Sequence, residues 1–399
     1  MVPFDGFAYF AVLLLVLPAA VILRLLVPTA RTAILATTIV MVAIQYGATS
    51  PIAGNALVGT SATVAAHALY QSLLVAVVAW LARRRRPSDV ARRAGRPPRV
   101  ASYGAIALAV LPLALVKFRP ALDSAIGFLG LSYVTFRSLD VLLSIHDGTL
   151  DEISPVEFLA FLFCFPTLSA GPIDRYRRFA GDWRRRRDCA ALISDLDAGV
   201  HKVFTGFFYK FILAALISQF WMRPALHHHS AGALLSYMYA YSFYLFFDFA
   251  GYSAFAIGVS YVLGVHAPEN FRRPFLARNI REFWDRWHIS LSWWFRDHVY
   301  MRFLLLATKR RWFANRYLGS YIGLVLSFGL MGVWHGPQLR YILYGLYHAS
   351  LLIGHDVYKR IAPRAARREP SWRSDAWATA LTFHAVCFGF LLFSGRLIS

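Results

Sequence analysis

Apolar residues along this chain gather into blocks of roughly 20, the length a helix needs to cross about 30 Å of hydrocarbon. Such blocks lie near 7–26, 32–48, 61–81, 101–117, 124–143, 199–220, 232–264, 317–334, 339–357 and 375–396. The pattern predicts an all-α, polytopic transmembrane bundle of about ten to eleven spans. The block at 232–264 is too long for one straight crossing, and Gly251 beside Asp248 near its middle predicts a break or tilt. Asp248 has two readings, orienting a catalytic group or bonding backbone freed at that break, and the second is the expected one. In the fifth block Arg137 and Asp140 stand three apart, a spacing that predicts an ion pair on one helix face.

Two stretches depart from full-length spans. Glu157 to Ala170 is apolar but short and is closed by Gly171-Pro172, so a re-entrant or buried helix is expected. Ile280 to Leu306 mixes Trp, Arg, Asp and Ser with leucines and ends in Lys309, Arg310 and Arg311. A crossing would carry that charge to the far side, so the stretch is expected along the interface or dipping in partway.

Composition sharpens the picture: 58% of the 399 residues are hydrophobic and 16% charged, against roughly 25% charged in an ordinary soluble domain. With 42 Lys plus Arg against 21 Asp plus Glu, the formal charge of +21 raises a nucleic-acid partner. The position of the arginines excludes it. They cluster in short connections between apolar blocks, above all Arg83 to Arg99, Arg175 to Arg187, Arg272 to Arg286 and Lys359 to Arg373, where cytoplasmic loops hold positive charge. That rule places both termini outside the cytoplasm in a multi-pass cell-membrane protein. The first block lacks a basic n-region and a clean cleavage site and is read as an uncleaved span. One domain over 1–399 is expected, with peripheral spans at 1–124, a catalytic core at 125–358 and a basic loop and last span at 359–399. No internal repeat is evident, which weighs against a transporter of symmetric halves.

His335 ends the apolar run Leu324 to Trp334 in the string LMGVWHGPQLRY. An ionisable group at membrane depth costs several kcal/mol unless it lines a cavity or has a partner, which makes it a functional candidate; a loop histidine at the outer surface is the alternative. Imidazole is the side chain best suited to accept a proton at neutral pH. His288 lies in REFWDRWHISLSWWFRD, where helical spacing sets Trp284, His288 and Leu291 on one face, with Asp285 three before the histidine. Tryptophans beside arginines also furnish a membrane interface, so catalysis and a hydrogen-bonded interfacial histidine stay open. His227-His228-His229 has no nearby carboxylate or cysteine and reads as a solvated loop rather than a metal site. Cys164, Cys189 and Cys387 offer neither a disulfide framework nor zinc spacing. P-loop, G-x-S-x-G and dinucleotide fingerprints are absent, so the energy for any transfer comes from the substrate.

Four strings, FPTLSAGPIDRYRRF, YLFFDFAGYSAFAIGVSYVLG, FWDRWHISLSWWFRDHVYMRF and GVWHGPQLRYILYGLYHA, resemble the membrane-bound O-acyltransferase family, and within it the branch that transfers D-alanyl in teichoic acid D-alanylation. The resemblance covers about residues 125 to 358. It differs from the alginate-type O-acetyltransferase pattern, which follows W-R-D with proline and paired glycines where this chain has Asp297-His298-Val299-Tyr300-Met301-Arg302. The family's histidine maps onto His335 and its second polar motif onto His288. What the resemblance implies is an enzyme moving D-alanyl from the phosphopantetheine thioester of a cytoplasmic D-alanyl carrier protein to a hydroxyl of teichoic or lipoteichoic acid, with no cofactor or metal of its own.

On that reading His335 is the general base, and Trp284, Asp285, Trp287, Ser290 and Trp334 join His288 in shaping a central tunnel lined by the re-entrant and interfacial helices. Leu304, Leu305 and Leu306 offer the carrier an apolar contact, with ordinary burial as their bland alternative. Further expected partners are an accessory membrane peptide, an extracytoplasmic transferase and membrane lipid. An exopolysaccharide O-acetyltransferase and a non-enzymatic flippase or channel are the competing functions.

Overall fold

The computed structural model describes residues 3–4, 6–27, 30–47, 61–84, 96–119, 122, 126–150, 152–186, 188–228, 230–363 and 371–398. The basic connection at 85–95, the loop at 364–370 and His229 lie outside the described residues. Helices dominate: α1 (Phe7–Leu26), α2 (Ala30–Tyr46), α3 (Ser61–Arg84), α4 (Arg99–Phe118), α5 (Leu131–His146), α6 (Pro155–Leu162), α7 (Tyr176–Arg184), α8 (Cys189–Leu226), α9 (Ala231–Val262), α10 (Ile280–Trp284), α11 (Ile289–Phe295), α12 (Met301–Arg310), α13 (Arg316–His335), α14 (Leu339–Ile361) and α15 (Trp372–Ser394).

Among the described residues, seven helices (α1, α3, α4, α8, α9, α13 and α15) are long and apolar enough to cross a membrane. The other three predicted blocks also form helices but differ physically. The second, α2, is 17 residues. At 16 residues α5 is also short, with 13 of them buried, so its environment is protein rather than lipid. In α14, Arg340, Asp356, Lys359 and Arg360 interrupt the apolar run. The two stretches expected not to cross are indeed short helices: α6, followed by a 3₁₀ turn at Phe165–Thr167, and the broken series α10 to α12.

The chain divides into two compact units, Met1–Thr205 with Tyr252–Pro268, and Gly206–Gly251 with Glu269–Ser399. In the first, several buried charged side chains are held by protein groups. Arg137 is fully buried and donates to the carbonyls of Phe161 (2.8 Å), Leu162 (2.9 Å) and Thr167 (2.7 Å) and to the Thr167 hydroxyl. The α6 helix ends at Leu162, so the Phe161 and Leu162 carbonyls are ones that a longer helix would have bonded itself, and Thr167 closes the 3₁₀ turn that follows. Asp140 takes a different partner, Arg175 Nη1 at 2.9 Å, and also accepts from Tyr176 N. The expected Arg137–Asp140 pair is therefore replaced by two separate ties, because the buried chain end beside Arg137 needs donors more than Asp140 does. Glu157 accepts from the Tyr176 hydroxyl (2.8 Å) and from Arg184 (2.9 Å). The polar residues of the GPIDRYRRF string thus form a clasp rather than a reaction centre. Arg24 is likewise buried, on Asp195 (2.8 Å) and the Val262 carbonyl (2.7 Å).

No break occurs at Gly251, since α9 runs unbroken through 32 residues. A Cβ there would lie 2.8 Å from the Lys210 backbone nitrogen, so this glycine permits close approach of α8. Asp248, one turn earlier, pairs with Lys210 Nζ at 2.7 Å instead of with freed backbone. Lys210 sits in the π-helical turn Phe208–Ala214, a local widening that presents it to Asp248.

Replacing Arg137 strips the donor from four acceptors. Arg137→Leu is expected to cost about 3 kcal/mol or more and to lower the thermal midpoint of the detergent-solubilised protein by fluorescence-detected size exclusion. An unchanged midpoint contradicts the assignment.

Candidate active site

All the residues described in this subsection belong to the second unit. Its centre is the α13–α14 hairpin, drawn together by small residues. A Cβ at Gly332 would collide with the Tyr341 carbonyl and one at Gly345 with the Phe328 carbonyl, so the backbones touch directly. His335 closes α13 at this seam, and Gly336-Pro337 turns the chain into α14. Its half-buried ring lies 4.6 Å from Trp334, 4.9 Å from Phe393 and 5.9 Å from Tyr341, centre to centre.

His288 arrives by another route. The expected single helix from Trp284 to Leu291 is instead two short ones, α10 and α11, separated by a turn in which His288 has φ 43°, the left-handed region. Such a conformation in a non-glycine residue is strained and persists only when its surroundings impose it. Here the backbone at Phe271 and Trp287 forms an antiparallel bridge. Ile289 N donates to the Asn270 carbonyl at 3.0 Å, and the Ser290 hydroxyl donates to Asn270 Oδ1 at 2.6 Å. Phe249 presses edge-on against the histidine ring at 4.7 Å. The side chain is 5% exposed, and Nε2 has no hydrogen-bond partner. Burial first, and then the neighbouring His335, push its pKa down to about 3, so it is neutral at physiological pH.

Both histidines line one small, partly open chamber of about 60 Å³, with Trp284, Trp287, Leu291, Met331 and a ring of further aromatics. The expectation that Trp284, His288 and Leu291 converge therefore holds, although a turn rather than one helix face brings them together. A second cavity of about 300 Å³ shares Trp284 and Met331 with the chamber. It follows one face of α13 through Ser320, Leu324, Ser327 and Phe328, and its far end carries Arg281, Arg296 and Asp356. From Ser320 to His335 that face rises about 22 Å.

The remaining expected residues are dispersed. Asp285 lines the larger cavity and not the chamber. Ser290 sits behind His288 on Asn270, and Trp334 packs against His335 outside the lining. Of the three leucines on α12, Leu304 is partly buried, and Leu305 and Leu306 are 65% and 44% exposed. Among the described residues no group of His, Cys, Asp or Glu is arranged to hold a metal ion. Sequence reading missed Phe249, Tyr344, Phe390 and Phe393, apolar or aromatic residues within apolar spans and thus without a local signal. It also passed over His348, which is fully buried on α14 without a hydrogen bond and packs edge-on against Trp284 at 5.1 Å; an ionisable residue inside a span was the available clue.

Because the hairpin seam positions His335, Gly345→Val is expected to force α13 and α14 apart. Loss of thermal stability together with access of a bulky histidine reagent to His335 is the outcome to look for. Wild-type behaviour in both assays counts against the seam.

A model of the membrane-bound O-acyltransferase family matches residues 131–395, which include both histidines. The chain is 46% identical over 310 residues to a teichoic acid D-alanyltransferase of Bacillus subtilis (strain 168), covering 73% of this chain and 77% of that protein. A teichoic acid D-alanyltransferase of Lacticaseibacillus rhamnosus is 40% identical, over 74% and 76%. A probable alginate O-acetylase of Pseudomonas fluorescens is 33% identical over 66% of this chain and 50% of that protein. With its multi-pass helical architecture, this chain belongs to the membrane-bound O-acyltransferase family and is an acyltransferase.

Proposed function

We propose that this enzyme transfers D-alanyl from a phosphopantetheine thioester on a cytoplasmic carrier protein to a hydroxyl of teichoic or lipoteichoic acid outside the cytoplasm. The observation that carries the reading is the convergence of His335 and His288 on one small chamber that adjoins a longer, partly polar cavity at Trp284 and Met331. The two D-alanyltransferases, similar over three quarters of the chain, support the choice of acyl group and acceptor.

In the proposed step the acceptor hydroxyl attacks the thioester carbonyl. His335 takes the hydroxyl proton as the C–O bond forms, and passes it to the departing thiolate as the C–S bond breaks. His288 is neutral, and with its proton on Nε2 it donates a hydrogen bond to the developing oxyanion. A relay hydroxyl, supplied by an accessory peptide or an outer transferase, would be handled by the same two groups. The carrier's arm enters along the α13 face, where Arg281 and Arg296 stand in the same cavity as Asp285 and Asp356. Exposed Leu305 and Leu306 supply it with an apolar contact. Both termini lie outside the cytoplasm in this scheme, and Trp284 and Trp287 position the thioester.

His335→Ala is expected to lower incorporation of labelled D-alanine by roughly 10² to 10⁴-fold while membrane insertion is unchanged. Incorporation of labelled acetate but not D-alanine would favour the exopolysaccharide O-acetyltransferase instead. His288→Asn keeps a side chain that tolerates the left-handed turn. Since His288 is uncharged above about pH 3 and does not gain or lose a proton in the working range, this variant should lower the rate yet leave the acid limb of the pH–rate profile in place; a displaced limb contradicts the assigned roles.

A further inference from the structure

The chamber raises a question of charge that the transfer reaction alone does not answer. A D-alanyl thioester carries an α-amine, whose reference pKa of about 7.7 to 8 makes it largely an ammonium at neutral pH. Taking that cation out of water is costly without compensation. Yet no aspartate or glutamate is among the described residues lining the chamber. The acid nearest in sequence on α9, Asp248, is occupied by Lys210 at 2.7 Å, and Asp285 lines the neighbouring cavity.

What the chamber does supply is aromatic surface. Phe249, Trp287, Tyr344, Phe390 and Phe393 contribute rings from α9, the α10–α11 turn, α14 and α15. Trp287 and Phe390 lie 4.7 Å apart and Tyr344 and Phe393 5.2 Å apart, centre to centre. We propose that the chamber selects its acyl group by the positive charge of the α-amine, held against the aromatic faces of Phe249, Trp287, Phe390 and Tyr344. The inference rests on the D-alanyl reading above and deepens it.

Three features support aromatic rather than ionic recognition. Ring faces attract a desolvated ammonium without a counter-charge. A carboxylate in the same space would hold a proton on the adjacent imidazoles, and so disable the base that the reaction needs. It would also retain the charged product, whereas a cation over rings leaves readily once water returns. Size agrees: at about 10 to 15 Å³ per water-sized sphere, a chamber of about 60 Å³ holds the handful of heavy atoms of a D-alanyl group and excludes a fatty chain.

The test compares three carrier-protein thioesters, D-alanyl, D-lactyl and propionyl, as donors to lipoteichoic acid in membranes containing the full chain. The three acyl groups are nearly equal in size, and only the first is a cation. The readout is the ratio of kcat/KM for D-alanyl over D-lactyl, which partial misfolding does not change. Wild type is expected to prefer D-alanyl. Phe249→Leu and Phe390→Leu should each lower the ratio by roughly threefold to thirtyfold, whereas Phe388→Leu, outside the chamber lining and 41% exposed, should leave it unchanged. Comparing variant with wild type cancels the intrinsic reactivity of each thioester. Efficient D-alanyl transfer with no preference, or a preference that neither chamber variant alters, overturns the inference while leaving the D-alanyl reading intact. Absence of transfer from all three donors overturns that reading and the inference together.

Discussion

A backbone that leaves the helix inside a membrane protein has no bulk water to bond with, and neither does a buried charge. The departures from regular helix in this enzyme are organised around that constraint. Where α6 stops short, Arg137 supplies donors to the carbonyls left behind. Where the chain breaks between α10 and α11, Asn270 bonds both the backbone and the Ser290 hydroxyl, and a short antiparallel pairing covers the rest. In that second region irregular backbone becomes useful, because it turns His288 into the chamber that His335 also lines.

The same constraint explains how the two histidines differ. His288 is sealed by packing and held neutral, which suits a hydrogen-bond donor and makes it a poor store for a proton. His335 is half-buried at the end of a helix. The small-residue seam beneath it fixes where that helix end stands, since Gly332 and Gly345 let the two backbones meet directly.

Much of this was legible in the chain itself. Apolar block length marked the helices, and an imidazole at membrane depth marked His335, because both signals are local costs that a single residue or segment reveals. Pairing was less legible. Arg137 and Asp140 sit at an ion-pair spacing, yet each is claimed by a segment some 24 to 36 residues away that needs it more. Gly251 looked like a helix breaker and is instead a contact point, a distinction that depends on the neighbouring helix and not on the glycine. The aromatic wall of the chamber was hidden for a related reason: Phe390 and Phe393 are apolar residues in an apolar span, and only folding aims them at a histidine.

The central claim is that a thioester reaching the chamber meets His335. A pantetheine bearing a bromoacetyl group in place of D-alanyl, loaded on the carrier and offered to intact membranes, tests this by mass spectrometry of the modified chain. Alkylation of His335, suppressed by excess D-alanyl carrier, is the predicted result. Labelling that falls elsewhere while His335 remains unmodified would contradict the account.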